Sequence, residues 1–187
     1  IVHQKFSKQE AKGNAASFTS VTHWMDADGK AFIEEERSFI VTAGAHGGRA
    51  LIDFQSKLTP VRGDVQLKGD PEHAGIQYRP ANEVDKKLTK YVFPKGVEKV
   101  KGTKDMPWAA ENYSLAGKQY GVVHLNSKSN PKGTVHSAYR DYGRFGAFFE
   151  KEVKQGESLT VNYGFLIVDG ELPDQDEIQK IWGAWGK

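Results

Sequence analysis

A chain of 187 residues with 38% hydrophobic and 27% charged residues has the composition of a globular protein, long enough to bury a core without disulfides or metals. Its 26 basic residues against 24 acidic ones leave a net charge of +2, which excludes the basic footprint of a nucleic-acid binder and strong attraction to an anionic membrane surface. No apolar run approaches the ~20 residues of a membrane-spanning helix, and the absence of cysteine excludes disulfides, thiolate nucleophiles and cysteine–zinc sites.

The opening residues 1–6 read as a strand already under way, with neither an initiator Met nor a signal peptide, which predicts a piece of a longer protein. Residues 16–24 and 31–41 are β-prone runs joined by Asp26-Ala27-Asp28-Gly29, a hairpin-turn tetrapeptide rather than a calcium loop, because no bidentate Glu follows at the required spacing. Residues 50–58 alternate, with Ile52, Phe54 and Leu58 on one face and Asp53, Gln55 and Lys57 on the other. Shorter strands are expected at 64–67, 74–79 and 119–125, and residues 82–106 form a lysine-rich irregular excursion. Residues 158–168 give the clearest strand, with Leu159, Val161, Tyr163, Phe165 and Ile167 on one side.

Only the end is helical. Asp174 is the expected N-cap, with Glu177 three residues on, and Ile178, Ile181, Trp182 and Trp185 form one apolar stripe at helical spacing. The predicted fold is mostly β: an antiparallel β-sandwich with one C-terminal α-helix, a single domain over residues 1–187.

Two polar constellations are candidates for chemistry. Alternation through 73–79 places His73, Gly75, Gln77 and Arg79 on one face of a strand and Ala74, Ile76 and Tyr78 on the core face. A row of imidazole, amide and guanidinium, with Gly75 leaving room, offers donors and acceptors to a hydroxylated ligand; a wetted sheet face has the same composition. In the loop 130–143, His136, Tyr139, Arg140 and Asp141 offer a base, a hydroxyl acid, a cation and an orienting carboxylate, unless Arg140 and Asp141 pair structurally. Trp24, Trp108, Tyr139 and Tyr142 are aromatics of the kind that stack on sugar rings or fill cores. His124 and His136 lack the spaced carboxylates of a metal site, and His124, inside an apolar strand, reads as a hydrogen-bonded structural residue. No metal or other cofactor is expected, and there is no G-x-S-x-G, H-E-x-x-H or P-loop.

The order of several short stretches carries a resemblance. Ile1-Val2-His3, Trp24 to Lys30, Glu35-Glu36-Arg37, Leu51-Ile52-Asp53-Phe54, His73 to Arg79, and Ser129-Asn130-Pro131 through Arg140-Asp141-Tyr142-Gly143 run through most of the chain. Together they resemble the bacterial family labelled "PmoA family" or "methane oxygenase PmoA". The resemblance covers that family's central and C-terminal part, and implies an upstream portion that completes the fold. It departs at Asn126-Ser127-Lys128, where the family tends toward D-H-P. It implies a sugar-associated β-sandwich of secreted or periplasmic bacterial proteins without a settled reaction; the integral membrane subunit of the same name is excluded by composition.

These readings together point to a saccharide or glycan partner. His73, His136, Tyr139, Arg140 and Asp141 are the candidate acid–base set for elimination, epimerisation or hydrolysis, and Gln77, Arg79 and Asn130 the candidate ligand contacts. The alternatives are a non-catalytic binding module for sugar or protein and, last, the metal-dependent oxygenase of the family label.

Overall fold

The computed structural model describes residues 1–186. Its strands are β1 (Val2–Lys12), β2 (Ala15–Met25), β3 (Ala31–Ala43), β4 (Ala50–Pro60), β5 (Val65–Leu67), β6 (Ile76–Tyr78), β7 (Lys90–Val92), β8 (Trp108–Leu115), β9 (Lys118–Asn126), β10 (Val135–His136), β11 (Phe145–Phe148), β12 (Lys151–Val153) and β13 (Leu159–Asp169), followed by helix α1 (Gln175–Trp185). Eight strands form one antiparallel sheet in the order β1-β2-β3-β4-β13-β9-β8-β7, and two small sheets, β10-β11-β6 and β12-β5, accompany it. The mostly β architecture with one terminal helix is as expected.

The β2–β3 hairpin turns where the Asp-x-Asp-Gly signal placed it. Asp26 Oδ1 accepts from the backbone N–H groups of Asp28 and Lys30 at 3.0 and 2.8 Å, and Gly29 takes the left-handed conformation at φ 72° that the turn requires. Strand β8 escaped the sequence reading. Ala109, Ala110 and Glu111 are all fully buried, so the strand is covered on both faces and shows no alternation.

One face of β8, β9 and β13 receives helix α1. Ile178 and Ile181 are buried there against Trp108, Val123, Leu125 and Leu166. Asp174 caps the helix, its carboxylate accepting from the Glu177 N–H at 2.9 Å. Trp182 is half-buried and its indole N–H donates to the Asn126 carbonyl at 2.8 Å. Trp182→Ala should therefore cost about 3 kcal/mol, at the lower end for a truncated tryptophan, and a melting temperature unchanged by the substitution would show that the helix is not docked.

The opposite face packs on β6 and β11 through two apolar clusters, one around Ala109, Tyr113, Val122 and Phe145, the other around Ala147, Val161 and Tyr163. None of the three clusters draws a residue from β1, β2 or β3, and β1 is exposed along its whole length.

Candidate functional site

A cleft of about 890 Å³ lies between the large sheet and the smaller ones. Its floor follows from strand alternation. The odd positions of β3, the even positions of β4 and the odd positions of β13 face it, bringing Glu35, Arg37, Phe39, Ile52, Phe54, Ser56, Tyr163 and Phe165 together with Trp24 of β2. Its rim carries Lys68, His73, Gln77 and Arg79.

Two stripes run across the strands from the edge of the sheet into the floor, which they reach at Phe39 and Phe54 and at Trp24, Glu35, Arg37 and Ser56. One is an aromatic ladder: Phe6 and Phe18 have ring centroids 5.8 Å apart, Phe18 and Phe39 are stacked at 4.8 Å, and Phe39 and Phe54 lie 5.0 Å apart. Phe6 at its outer end is 53% exposed. The other stripe is polar and centres on the buried carboxylate of Glu35. The Trp24 indole N–H and the Ser56 hydroxyl each donate to it at 2.6 Å and Thr22 donates at 3.4 Å. Arg37 donates from Nη2 to Oε2 at 2.7 Å, and its Nε lies 2.7 Å from Oε1. Burial alone would push the Glu35 carboxyl up; the hydrogen bonds from Arg37, Ser56 and Trp24 outweigh it and hold the group below its ordinary value. The carboxylate is thus charged and fixes the guanidinium beside it.

A family model matches residues 1–183. The chain belongs to DUF6807, a family of unknown function. The label PmoA receives no support from that match. No curated protein shows significant similarity to this DUF6807 chain. Among solved structures it is similar to a heparan sulfate lyase HepC mutant from Pedobacter heparinus, with a TM-score of 0.51 at 10% identity over 90% of this chain. The match spans 22% of that lyase, and at this identity it speaks for the fold.

In this chain the residues singled out from the sequence go to three places. His73, Gln77 and Arg79 border the cleft, but not as one strand face. The expected strand 74–79 shrinks to β6, because Asp70 starts a turn whose carbonyl accepts from the N–H groups of both His73 and Ala74, and Gly75 then takes φ 74°. His73 sits in that turn with Nδ1 2.8 Å from Asp70 Oδ2 and its side chain 64% exposed. Gly75 leaves no room for a ligand: a Cβ there would come within 2.0 Å of the Ala147 carbonyl oxygen. Gln77 is engaged within the chain, donating to the Ala74 carbonyl at 2.8 Å and accepting from Ser137 at 3.3 Å. Tyr78 meets the core as expected, its hydroxyl 2.9 Å from that of Tyr113.

His136 does not reach the cleft. It is 2% exposed, and its Nε2 lies 3.3 Å from Nδ1 of His124, which is buried and hydrogen-bonded as expected of a structural residue. Burial pushes His136 down to about 4 and His124 well below its usual value, so the pair is neutral near pH 7. Tyr139 and Arg140 gather on the outer surface around Glu72. The Tyr139 hydroxyl donates to its carboxylate at 2.9 Å, Arg140 forms an ion pair with it, and Arg144 donates to its carbonyl. Arg140 thus pairs with Glu72, and Asp141 is exposed.

Asn130 is buried and fully employed: its amide donates to Asn126 at 2.8 Å and to the Asn162 carbonyl at 2.7 Å, and accepts from the Asn162 N–H at 2.8 Å, pinning the loop to β13. Trp108 is core, while Trp24 is the tryptophan that borders the cleft. Among the described residues no cluster of three or more His, Asp or Glu side chains is placed to hold a metal ion.

Proposed function

We propose that the chain binds a saccharide in the cleft between the large sheet and β6. The observation that carries this reading is the pairing of an aromatic ladder with a parallel polar stripe on one concave floor. Sugar rings present apolar C–H faces and a rim of hydroxyls, and a floor with both surfaces side by side satisfies the two together. The fold likeness to a heparan sulfate lyase supports a carbohydrate association without assigning a reaction.

If the site is catalytic, His73 is its acid–base group. The contact with Asp70 orients the imidazole and favours the proton on Nδ1, which leaves Nε2 for proton transfer at the rim. A second reading, binding without chemistry, is favoured by the fate of the loop residues: His136 is buried and Arg140 is held by Glu72, away from the cleft.

The test is a glycan array followed by calorimetric titration and thermal melts of two variants. Arg79 is exposed, so Arg79→Ala should change stability by no more than about 0.5 kcal/mol and abolish binding. Tyr78→Ala should do the reverse, losing about 3–4 kcal/mol of stability through its place between Tyr113 and Phe145. Wild-type affinity in Arg79→Ala would remove that residue from the site, and a blank array would remove the saccharide reading altogether.

A further inference from the structure

We infer that the ligand of this cleft is an acidic saccharide, whose carboxylate or sulfate is read by Arg37 from the floor; this rests on the saccharide reading above. Arg37 is no ordinary surface arginine. It stands at an inward-facing position of β3, between Glu35 and Phe39, and opposite Ser56 of β4 and Ser20 of β2. Glu35 holds it through one hydrogen bond from Nη2 and an ion-pair contact at Nε, 2.7 Å each, and Glu35 is itself 3% exposed and locked by Trp24 and Ser56. A guanidinium held this way has already lost its rotameric freedom, so a second anion meets a fixed fork without the ordering cost of a free arginine.

The grip uses one edge of that fork. The Arg37 side chain remains 31% exposed, and its contacts with Glu35 are made through Nε and Nη2. Planar carboxylate and sulfate oxygens match the geometry of such an edge, and each is a better acceptor for a guanidinium than a sugar hydroxyl.

The charge around the fork points the same way. The charged side chains bordering the cleft are Arg37, Lys68 and Arg79, with the titratable His73, against the single carboxylate of Glu35. Glu35 is neutralised by Arg37, so Lys68 and Arg79 give the rim an uncompensated positive charge. The whole molecule carries only +2, so the bias belongs to this cleft rather than to the protein at large. A neutral glycan would gain less from that arrangement than an anionic one.

The experiment compares matched ligands on the wild-type protein: an oligogalacturonate against its carboxyl-reduced neutral form, and a heparin-derived oligosaccharide against its desulfated form. The acidic member of at least one pair should bind about tenfold or more tighter, and its affinity should fall as salt is raised while the neutral member's does not. The carboxylate and sulfate arms tell which anion is read. Arg37→Gln alone leaves Glu35 buried without its partner, so the double variant Glu35→Gln/Arg37→Gln, which removes both charges, is tested beside it. That double variant should fold and show no preference for the acidic member of either pair. Equal affinity for acidic and neutral members, or a preference that survives in the double variant, overturns the inference and leaves the saccharide reading standing. Failure of all four ligands to bind overturns both.

Discussion

Glu111→Gln should stabilise the protein near pH 8 by roughly 2–4 kcal/mol and flatten the alkaline side of its stability profile. Glu111 is fully buried on β8, and neither carboxylate oxygen has a geometrically formed hydrogen bond among the described residues. Burial pushes its carboxyl up to about 8, against a smaller downward pull from the Tyr91 hydroxyl beside it. The other groups facing it are Tyr78, itself raised by burial, and the tightly apposed Gly143.

A carboxyl with a raised folded-state value binds its proton more tightly folded than unfolded. Stability from this site is therefore greatest below the unfolded value near 4.5, and is lost as pH rises from there through about 8. Glu35 acts with the opposite sign. Its lowered value contributes stability that is present above about 4.5 and lost as pH falls through the folded-state value. The wild-type profile should fall on both sides, and Glu111→Gln should relieve only the alkaline limb. Denaturant unfolding of both proteins from pH 4 to pH 9 measures this directly. Parallel profiles would mean that Glu111 finds a partner that satisfies its charge.

The second large effect belongs to Gly146. A Cβ there would come within 1.9 Å of the Ile76 carbonyl oxygen and 2.8 Å of the Gln77 Cα, both backbone atoms of the neighbouring strand β6. Neither can yield without breaking the β11–β6 pairing, so Gly146→Ala should cost at least about 3 kcal/mol, at the upper end for overpacking. It should also displace the rim residues Gln77 and Arg79 and so weaken cleft binding by more than the stability loss explains. Gly164→Ala is the control. Its Cβ would meet the side chains of Leu125 and Trp185 at 3.1 Å, and side chains can shift. Equal melting temperatures for the two variants would show that β6 moves aside freely.

Much of the fold was legible because period-2 alternation and turn chemistry are local. β4 and β13 pair in the register that puts Phe54 opposite Tyr163, and their inward faces are the ones alternation assigned. Where alternation failed, burial was two-sided, as in β8, or a turn intervened, as at Asp70 and Gly75 in the segment read as one strand. The candidate cleft was half legible. His73, Gln77 and Arg79 do border the cleft, but Glu35 and Arg37 escaped notice as functional residues. Their signal was present: two charged residues on the same strand face as Ile33 and Phe39 must pair or face a cavity, and here they do both. The distant partners of Arg140 and Asn130 were beyond reach, since Glu72 and Asn162 lie 68 and 32 positions away in the chain.

The absence of β1, β2 and β3 from all three apolar clusters has a thermodynamic consequence. The sheet is a body with a wing: β9 and β13 are clamped from both sides, while β1 and β2 depend on backbone pairing, the Phe ladder and the Glu35 network. Opening of the wing need not unfold the body, so its amides sit at the low end of the molecule's range of protection. The cleft straddles the seam, with Trp24 and Arg37 on the wing and His73 and Arg79 on the body side. Any ligand that touches both acts as a strut, and occupancy raises the cost of wing opening by more than it raises the cost of melting the helix end.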